Sequence, residues 1–298
     1  MPVGGAGACR GPSGSLDELQ EYAHLNEVVG LFRAAIVDVL PLLQEAASSG
    51  EHASVEIEGR LGRSTERGFE PDIGKEAFEA ILGMLEAFPR WQQVMGWSET
   101  QDVYYTVDVA PQYSGYAKAT KLQVRTTVGV DAQRKVSLQH TVKKRLKVVD
   151  MKLRVRGEAP CLLADSRASL LPCGDARMAV SLEQKIPSGA LPIAVVPDLV
   201  RIKQRKRFLL SSLGVEKPAF AIDATLVFSG KSKREAEQKQ ASGAEPTYEV
   251  EVECLEPLAY LRSCHDDSAL LALSMILKLL DFAAIVHPGV AMTYSSSR

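Results

Sequence analysis

The first sustained pattern in the chain is helical. Leu25, Val28, Val29, Leu31, Phe32, Ile36, Val39 and Leu40 recur at the spacing of one helix face. Ser15-Leu16-Asp17-Glu18 has the form of a capping box ahead of them, and Pro41 is expected to kink or divide the helix. A second helix is predicted over 75–88, with Phe78, Ile81, Leu82, Leu85 and Phe88 on one face, and a third from about Asp266 to Ile285. The third is rich in Leu, Ala and Met, which suits burial, and Asp266 or Asp267 can cap it. Between these helices the period drops to two. Segments near 53–62, 101–109, 117–128, 134–149, 177–186, 199–210, 219–229 and 247–255 alternate polar residues with β-branched or aromatic ones. So many strands with so few intervening helices predict an α+β fold with a mainly antiparallel sheet. The charge-dense stretch 230–246 reads as a flexible hairpin loop and residues 1–14 as a disordered tail. No repeat or change of composition divides 15–298, so a single domain is expected.

Composition narrows this picture only a little. A chain of 298 residues with 46% hydrophobic and 24% charged side chains is not a disordered chain, a collagen or a coiled-coil rod. A formal net charge of −2 names no partner. The five cysteines are odd in number and form no CxxC pair, which argues against a disulfide framework or zinc ribbon and for reduced thiols in an intracellular compartment. The histidines are scattered, without the spacing of a zinc site. The longest apolar stretch, 269–286, is broken by Ser274, Lys278 and Asp281, so no membrane span is expected. The N-terminus has no apolar segment of the signal-peptide kind.

Charge becomes informative once it is placed on strands, where residues i, i+2 and i+4 share a face. Glu56 and Glu58 then lie together, as do Glu249, Glu251 and Glu253. Arg201, Lys203, Arg205 and Arg207 form a row of four cations. Lys143 and Arg145 continue the polar face of Ser137, Gln139 and Thr141; Arg125 joins Lys121 and Gln123; Asp223 sits with Thr225, and Glu183 with Ser181. One such row is the ordinary solvated face of a sheet. Several same-sign rows in one domain repel themselves unless opposite charge neutralises them. Acidic and basic rows must face each other or share bound ions, and a closed barrel with a polar interior allows both. Carboxylates suit Mg²⁺ or Mn²⁺, and Arg and Lys rows suit phosphate oxygens. The joint requirement is a string of phosphates with a metal.

The strand Glu56-Ile57-Glu58, followed by Arg60-Leu61-Gly62, resembles the first metal strand of the triphosphate tunnel metalloenzymes, and Glu249-Val250-Glu251-Val252-Glu253 resembles their last. Arg201-Ile202-Lys203-Gln204-Arg205 and Ile222-Asp223-Ala224-Thr225 resemble the basic strand and its successor in the RNA 5′-triphosphatase branch, the fungal, protozoan and viral mRNA-capping type. The family pattern has Arg where this chain has Ala221, so one phosphate contact is either missing or supplied by Arg207. The resemblance implies an eight-stranded antiparallel tunnel on packed helices, hydrolysing the γ-phosphate of nascent 5′-triphosphate RNA to a diphosphate end as the first step of capping. It further implies Mg²⁺ or Mn²⁺ on Glu56, Glu58 and Glu253, with Glu249 and Glu251 behind them or acting through water. Arg125, Lys143, Arg201, Lys203 and Arg205 would bind the phosphates; strand alternation selects Lys143 over Lys144. Glu183 would position or deprotonate the attacking water, and Asp223 and Thr225 would fix the basic row and the metal waters. An mRNA guanylyltransferase partner and a nuclear location follow from the same resemblance, and no membrane association does.

Two rivals share these features: a hydrolase of inorganic triphosphate or a small triphosphate ester on the same scaffold, and a non-catalytic module that holds 5′-triphosphate RNA. Residues 118–156 carry twelve Lys or Arg against Asp131 and Asp150, a pattern that fits either an RNA track or bore-lining strands. The basic runs at 143–147 and 201–207 match nuclear-import composition but read better as strands. Tyr104, Tyr105, Tyr113 and Tyr116 suit sheet packing more than base stacking. No P-loop, dinucleotide-binding or nucleophile-elbow motif is present.

Overall fold

The structure, a computed structural model, describes residues 16–48, 53–108, 121–130, 136–152, 175–187, 196–211, 217–263 and 267–286. In chain order its elements are α1 (Leu16–Ser48), β1 (Ala53–Thr65), β2 (Gly68–Glu70), α2 (Lys75–Ala87), β3 (Gln93–Val94), β4 (Ser98–Asp108), β5 (Lys121–Val130), β6 (Val136–Lys152), β7 (Asp175–Lys185), β8 (Leu199–Ser211), β9 (Pro218–Gly230), α3 (Lys233–Ala241), β10 (Thr247–Cys254), α4 (Pro257–Ser263) and α5 (Ser268–Val286).

Two antiparallel meanders, β4-β5-β6-β7 and β8-β9-β10, are joined where β8 pairs with β4. Strand β1 pairs with β7 on one side and β10 on the other, which closes a ring of eight antiparallel strands. Each segment of alternating sequence therefore supplies one stave of a barrel, and closure leaves the ring no free edge. Short β2 folds back on the end of β1, and β3 lies along β8.

Because side chains alternate, each stave has an outer and an inner face. The main apolar core lies outside the barrel. Ile57, Met178, Val180, Ile222, Val250 and Val252 point outward and pack with Phe32 and Ile36 of α1, Phe78 and Ile81 of α2, and Met275 and Leu279 of α5. Each fully buried side chain of this kind contributes about 1.5–3 kcal/mol, so helices and outer face together fix the barrel's shape. Asp267 caps α5, its carboxylate accepting the amides of Ala269 at 2.9 Å and Leu270 at 3.2 Å; Asp266 and Ser15 lie outside the described residues. Pro41 does not divide α1, which runs unbroken through it. The carbonyl deprived of its donor belongs to Val37, on the exposed side of the helix, where water can satisfy it.

The segment expected as a flexible loop over 230–246 instead contains α3. Ser232 accepts the Glu235 amide at 3.2 Å, Glu235 accepts the Lys231 amide at 2.9 Å, and Lys233–Glu237 and Lys239–Glu235 pair one turn apart. Its buried Ala236 packs on Val103, Val200, Ile202 and Phe228. No helix among the described residues is long and apolar enough to cross a membrane.

Candidate active site

Strand register places every candidate side chain on the inner face. Glu58 stands opposite Glu253 and Arg60 opposite Glu251 across β1 and β10. Glu251 faces Asp223 and Glu249 faces Thr225 across β10 and β9. Arg207 then faces Asp223, and Arg205 faces Thr225. Asp102 lies beside Arg201, and Lys143 beside Glu183. The rows that would repel themselves in isolation are interleaved around one bore.

Most of these charges are paired. The Lys143 ammonium contacts Glu56 and lies 3.1 Å from Glu58; of the neighbouring lysines, Lys143 is the one on the inner face. Arg125 donates to Glu183 at 2.9 Å. Arg201 donates to Glu249, and Lys203 pairs with Asp102, which also accepts the Thr127 hydroxyl at 2.7 Å. Arg205 lies 3.1 Å from Asp223. Thr225 is buried next to this row. The Nε atoms of Arg60, Arg125 and Arg205 are buried and lack a hydrogen-bond partner. A buried guanidinium N–H without an acceptor is costly, so these donors call for an oxygen-rich guest.

The carboxylate end shows the complementary imbalance. One oxygen each of Glu56, Glu58 and Glu251 lies within 4.8 Å of the others. Burial and the nearby Glu251 carboxylate push Glu58 up to about 8. Burial would raise Glu251 too, but Arg60, Glu58, Arg205 and Lys143 together hold it well below the usual carboxylate range. Glu253 is pushed up to about 7 by burial and by Glu251 and Glu56, against the pull of Arg207. Burial disfavours the charged form of these crowded carboxylates, a bound cation would favour it, and the all-oxygen set fits Mg²⁺ or Mn²⁺. The trio is Glu56, Glu58 and Glu251; Glu253 pairs with Arg207, 2.9 Å away, and Glu249 with Arg201.

Three bore residues, Arg60, Asp102 and Tyr104, were not among the expected ligands. Arg60 bridges Glu58 at 2.9 Å and Glu251 at 3.3 Å; its shared parity with Glu56 and Glu58 was a usable signal. Asp102 belongs to no row, and only the β4–β8 register reveals it. Tyr104 lines the bore, whereas Tyr105 packs against the small core under α3; Tyr113 and Tyr116 lie outside the described residues. Arg207 clamps Asp223 with two bonds of 2.7 Å and reaches Glu253, in the space beside Ala221, which stands opposite Glu253.

One end of the bore opens into a cavity of about 340 Å³. Its walls combine Arg145, Arg177 and Arg201 with Phe69, Pro71 and Leu199, and it reaches inward to Glu58 and Glu249. Gly62 makes this wall possible. A Cβ there would sit 2.2 Å from the Glu70 carbonyl oxygen and 2.7 Å from the Phe69 ring, so β2 could not lie so close to β1.

No known family model matches the chain, and no curated protein matches it. Solved structures do. The S. pombe Pct1 RNA triphosphatase is 17% identical, with 85% of this chain and 91% of that one covered, at a TM-score of 0.48. The RNA triphosphatase domain of the mimivirus mRNA capping enzyme is 12% identical, with 83% and 94% covered, at 0.46. HpAC1 from Hippeastrum, described as a putative adenylyl cyclase with a dominant triphosphatase activity, is 11% identical, with 71% and 84% covered, at 0.29.

Proposed function

We propose that this chain is a metal-dependent RNA 5′-triphosphatase, hydrolysing the γ-phosphate of 5′-triphosphate RNA to leave a diphosphate end, the first step of mRNA capping. The observation that carries this reading is the bore itself: a crowded carboxylate cluster on β1 and β10 sharing one enclosed space with arginines that have unpartnered buried N–H groups. The S. pombe and mimivirus proteins are described as RNA triphosphatases; for this chain the support is its own bore.

Glu56, Glu58 and Glu251 would hold Mg²⁺ or Mn²⁺, with Glu253 and Glu249 close behind. Bound there, the ion would supply Lewis-acid polarisation of the γ-phosphoryl oxygens. Arg125, Lys143, Arg201, Lys203 and Arg205 would exchange their carboxylate partners for phosphate oxygens and stabilise the charge of the transition state. Glu183, which Arg125 holds until that arginine turns to phosphate, would then orient the attacking water and receive its proton. A bond then forms from the water oxygen to the γ-phosphorus, the β–γ bridging bond breaks, and inorganic phosphate leaves. Asp223 and Thr225 keep the basic row in register. Partnership with an mRNA guanylyltransferase and a nuclear location go with this reading.

The test is phosphate release from triphosphate-ended RNA and from inorganic triphosphate, with and without Mg²⁺ or Mn²⁺. Metal-dependent release from RNA at the higher kcat/KM is expected. Higher efficiency on inorganic triphosphate would replace the proposal with a small-substrate hydrolase, and RNA binding without release would replace it with a non-catalytic module.

A further inference from the structure

The bore has two ends of different chemistry. At one, Phe69, Pro71, Tyr104 and Leu199 line the cavity alongside the arginines. Leu199 is 36% exposed. Phe69 is preorganised: Arg177, fixed on Asp150 by bonds of 2.6 and 2.7 Å, stacks on the ring at 4.8 Å from its centroid, and Gly62 clears room for the ring edge. At the other end the inward positions among the described residues include Glu253, Arg207 and Glu183, all of them charged. A row of phosphates has no use for Phe69, Pro71 and Leu199. A nucleobase does, since base faces stack on aromatic and apolar side chains.

We infer that the Phe69 mouth is the subsite for the first nucleoside of the substrate, and that the triphosphate threads inward from it in one direction only. The inference deepens the proposed function and rests on it. The base lies against Phe69, Pro71 and Leu199. The phosphates pass Arg145 and Arg201, and the γ-phosphoryl group comes to rest just beyond the cavity's Glu58 end, beside Lys143, which contacts Glu56 and stands next to Glu183 in register. The strand geometry agrees with this polarity. On β7 the cavity is lined by Arg177 and Ala179, and Glu183 lies four residues further along the same face, roughly 13 Å at ordinary strand rise. The leaving oxygen therefore faces the mouth and the attacking water faces Glu183, as in-line displacement requires. The subsite gives the chain a means of preferring a nucleoside-linked triphosphate over the inorganic anion.

The experiment measures KM for a 5′-triphosphate dinucleotide and for inorganic triphosphate in the wild-type chain, Phe69→Ala and Leu199→Ala. A parallel measurement follows displacement of a β,γ-imido nucleoside triphosphate by inorganic triphosphate without turnover. In both variants the ratio of the dinucleotide KM to the inorganic KM should rise about tenfold, the scale of losing one stacked base, and the imido analogue should bind more weakly by a similar factor. A general distortion of the bore would move both substrates together and leave the ratio where it was; that result, or no change at all, overturns the subsite. If Phe69→Ala proves misfolded, Leu199→Ala at the start of β8 decides alone. A wild-type chain that splits neither substrate refutes the proposed function instead, so the two failures are told apart.

Discussion

The same strands behave as two different materials on their two faces. Outward from β1, β9 and β10, Ile57, Ile222, Val250 and Val252 sit in a dry core against three helices. Inward, Glu56, Glu58, Asp223, Glu251 and Glu253 crowd like charges with incomplete compensation. The outer face gains free energy by burial, and the inner face gives some of it back by holding ionisable groups in surroundings that resist their charge. A polar bore this crowded can stay open because the fold does not depend on it for packing.

The sharpest way to break the comparison is to exchange effects between the faces. Glu58→Gln removes a buried carboxylate that burial and Glu251 already push up to about 8. Phosphate release should fall roughly a hundredfold or more, while the thermal midpoint holds or rises. Ile57→Ala, the adjacent residue on the same strand, should cost about 2–5 kcal/mol of stability and leave turnover per folded molecule nearly intact. Paired melting curves and active-site-normalised rates check both. A Glu58→Gln chain that keeps full turnover would remove that carboxylate from the metal site.

Arg207 sharpens the picture within the inner face. It joins Asp223 to Glu253 beside Ala221, where a longer side chain on β9 would otherwise reach. Arg207→Ala leaves the buried Asp223 and half-buried Glu253 carboxylates without their shared cation, and we expect kcat/KM to fall roughly tenfold to a hundredfold. Restoring an arginine from the neighbouring strand, as Ala221→Arg in the same chain, should recover most of the loss. If the double variant is as slow as the single one, Arg207 does more than supply positive charge at that point.

How much of this was legible in sequence follows the same division. Strict alternation marks both faces at once, so all eight barrel strands and the opposed Glu, Arg and Lys rows could be read directly. Asp102 could not: a lone acid in a strand gains meaning only when the register sets it beside Arg201 and lets Lys203 reach it. Which carboxylates gather and which pair with a cation, as Glu253 does with Arg207, depends on how far side chains reach, which alternation does not encode. Helix α3 was hidden by its polarity, since Ala236 alone among its residues is buried. The mouth was hidden because it needs β2 folded across Gly62, a contact between backbones rather than a pattern of side chains.

The smallest effect comes from the pH dependence of the inner face in metal-free protein. Burial raises Glu58 to about 8 and Glu253 to about 7, against an ordinary value of 4.5. A carboxyl group whose folded pKa lies above its unfolded one contributes its full share of stability below pH 4.5 and loses it progressively as pH climbs through 7 and 8. The outer core has no such dependence. Metal-free protein should therefore melt several degrees lower at about pH 8.5 than at about pH 5.5, each kcal/mol being worth roughly 2–4 °C in a domain of this size. Added Mg²⁺ or Mn²⁺ should raise the midpoint more at the higher pH, because there the ion meets ionised carboxylates and need not displace their protons. Glu58→Gln should flatten the apo profile and shrink the metal response together, since one carboxylate underlies both. A steep apo profile that survives in Glu58→Gln would move the titration to other groups and separate the crowding of the bore from its affinity for metal.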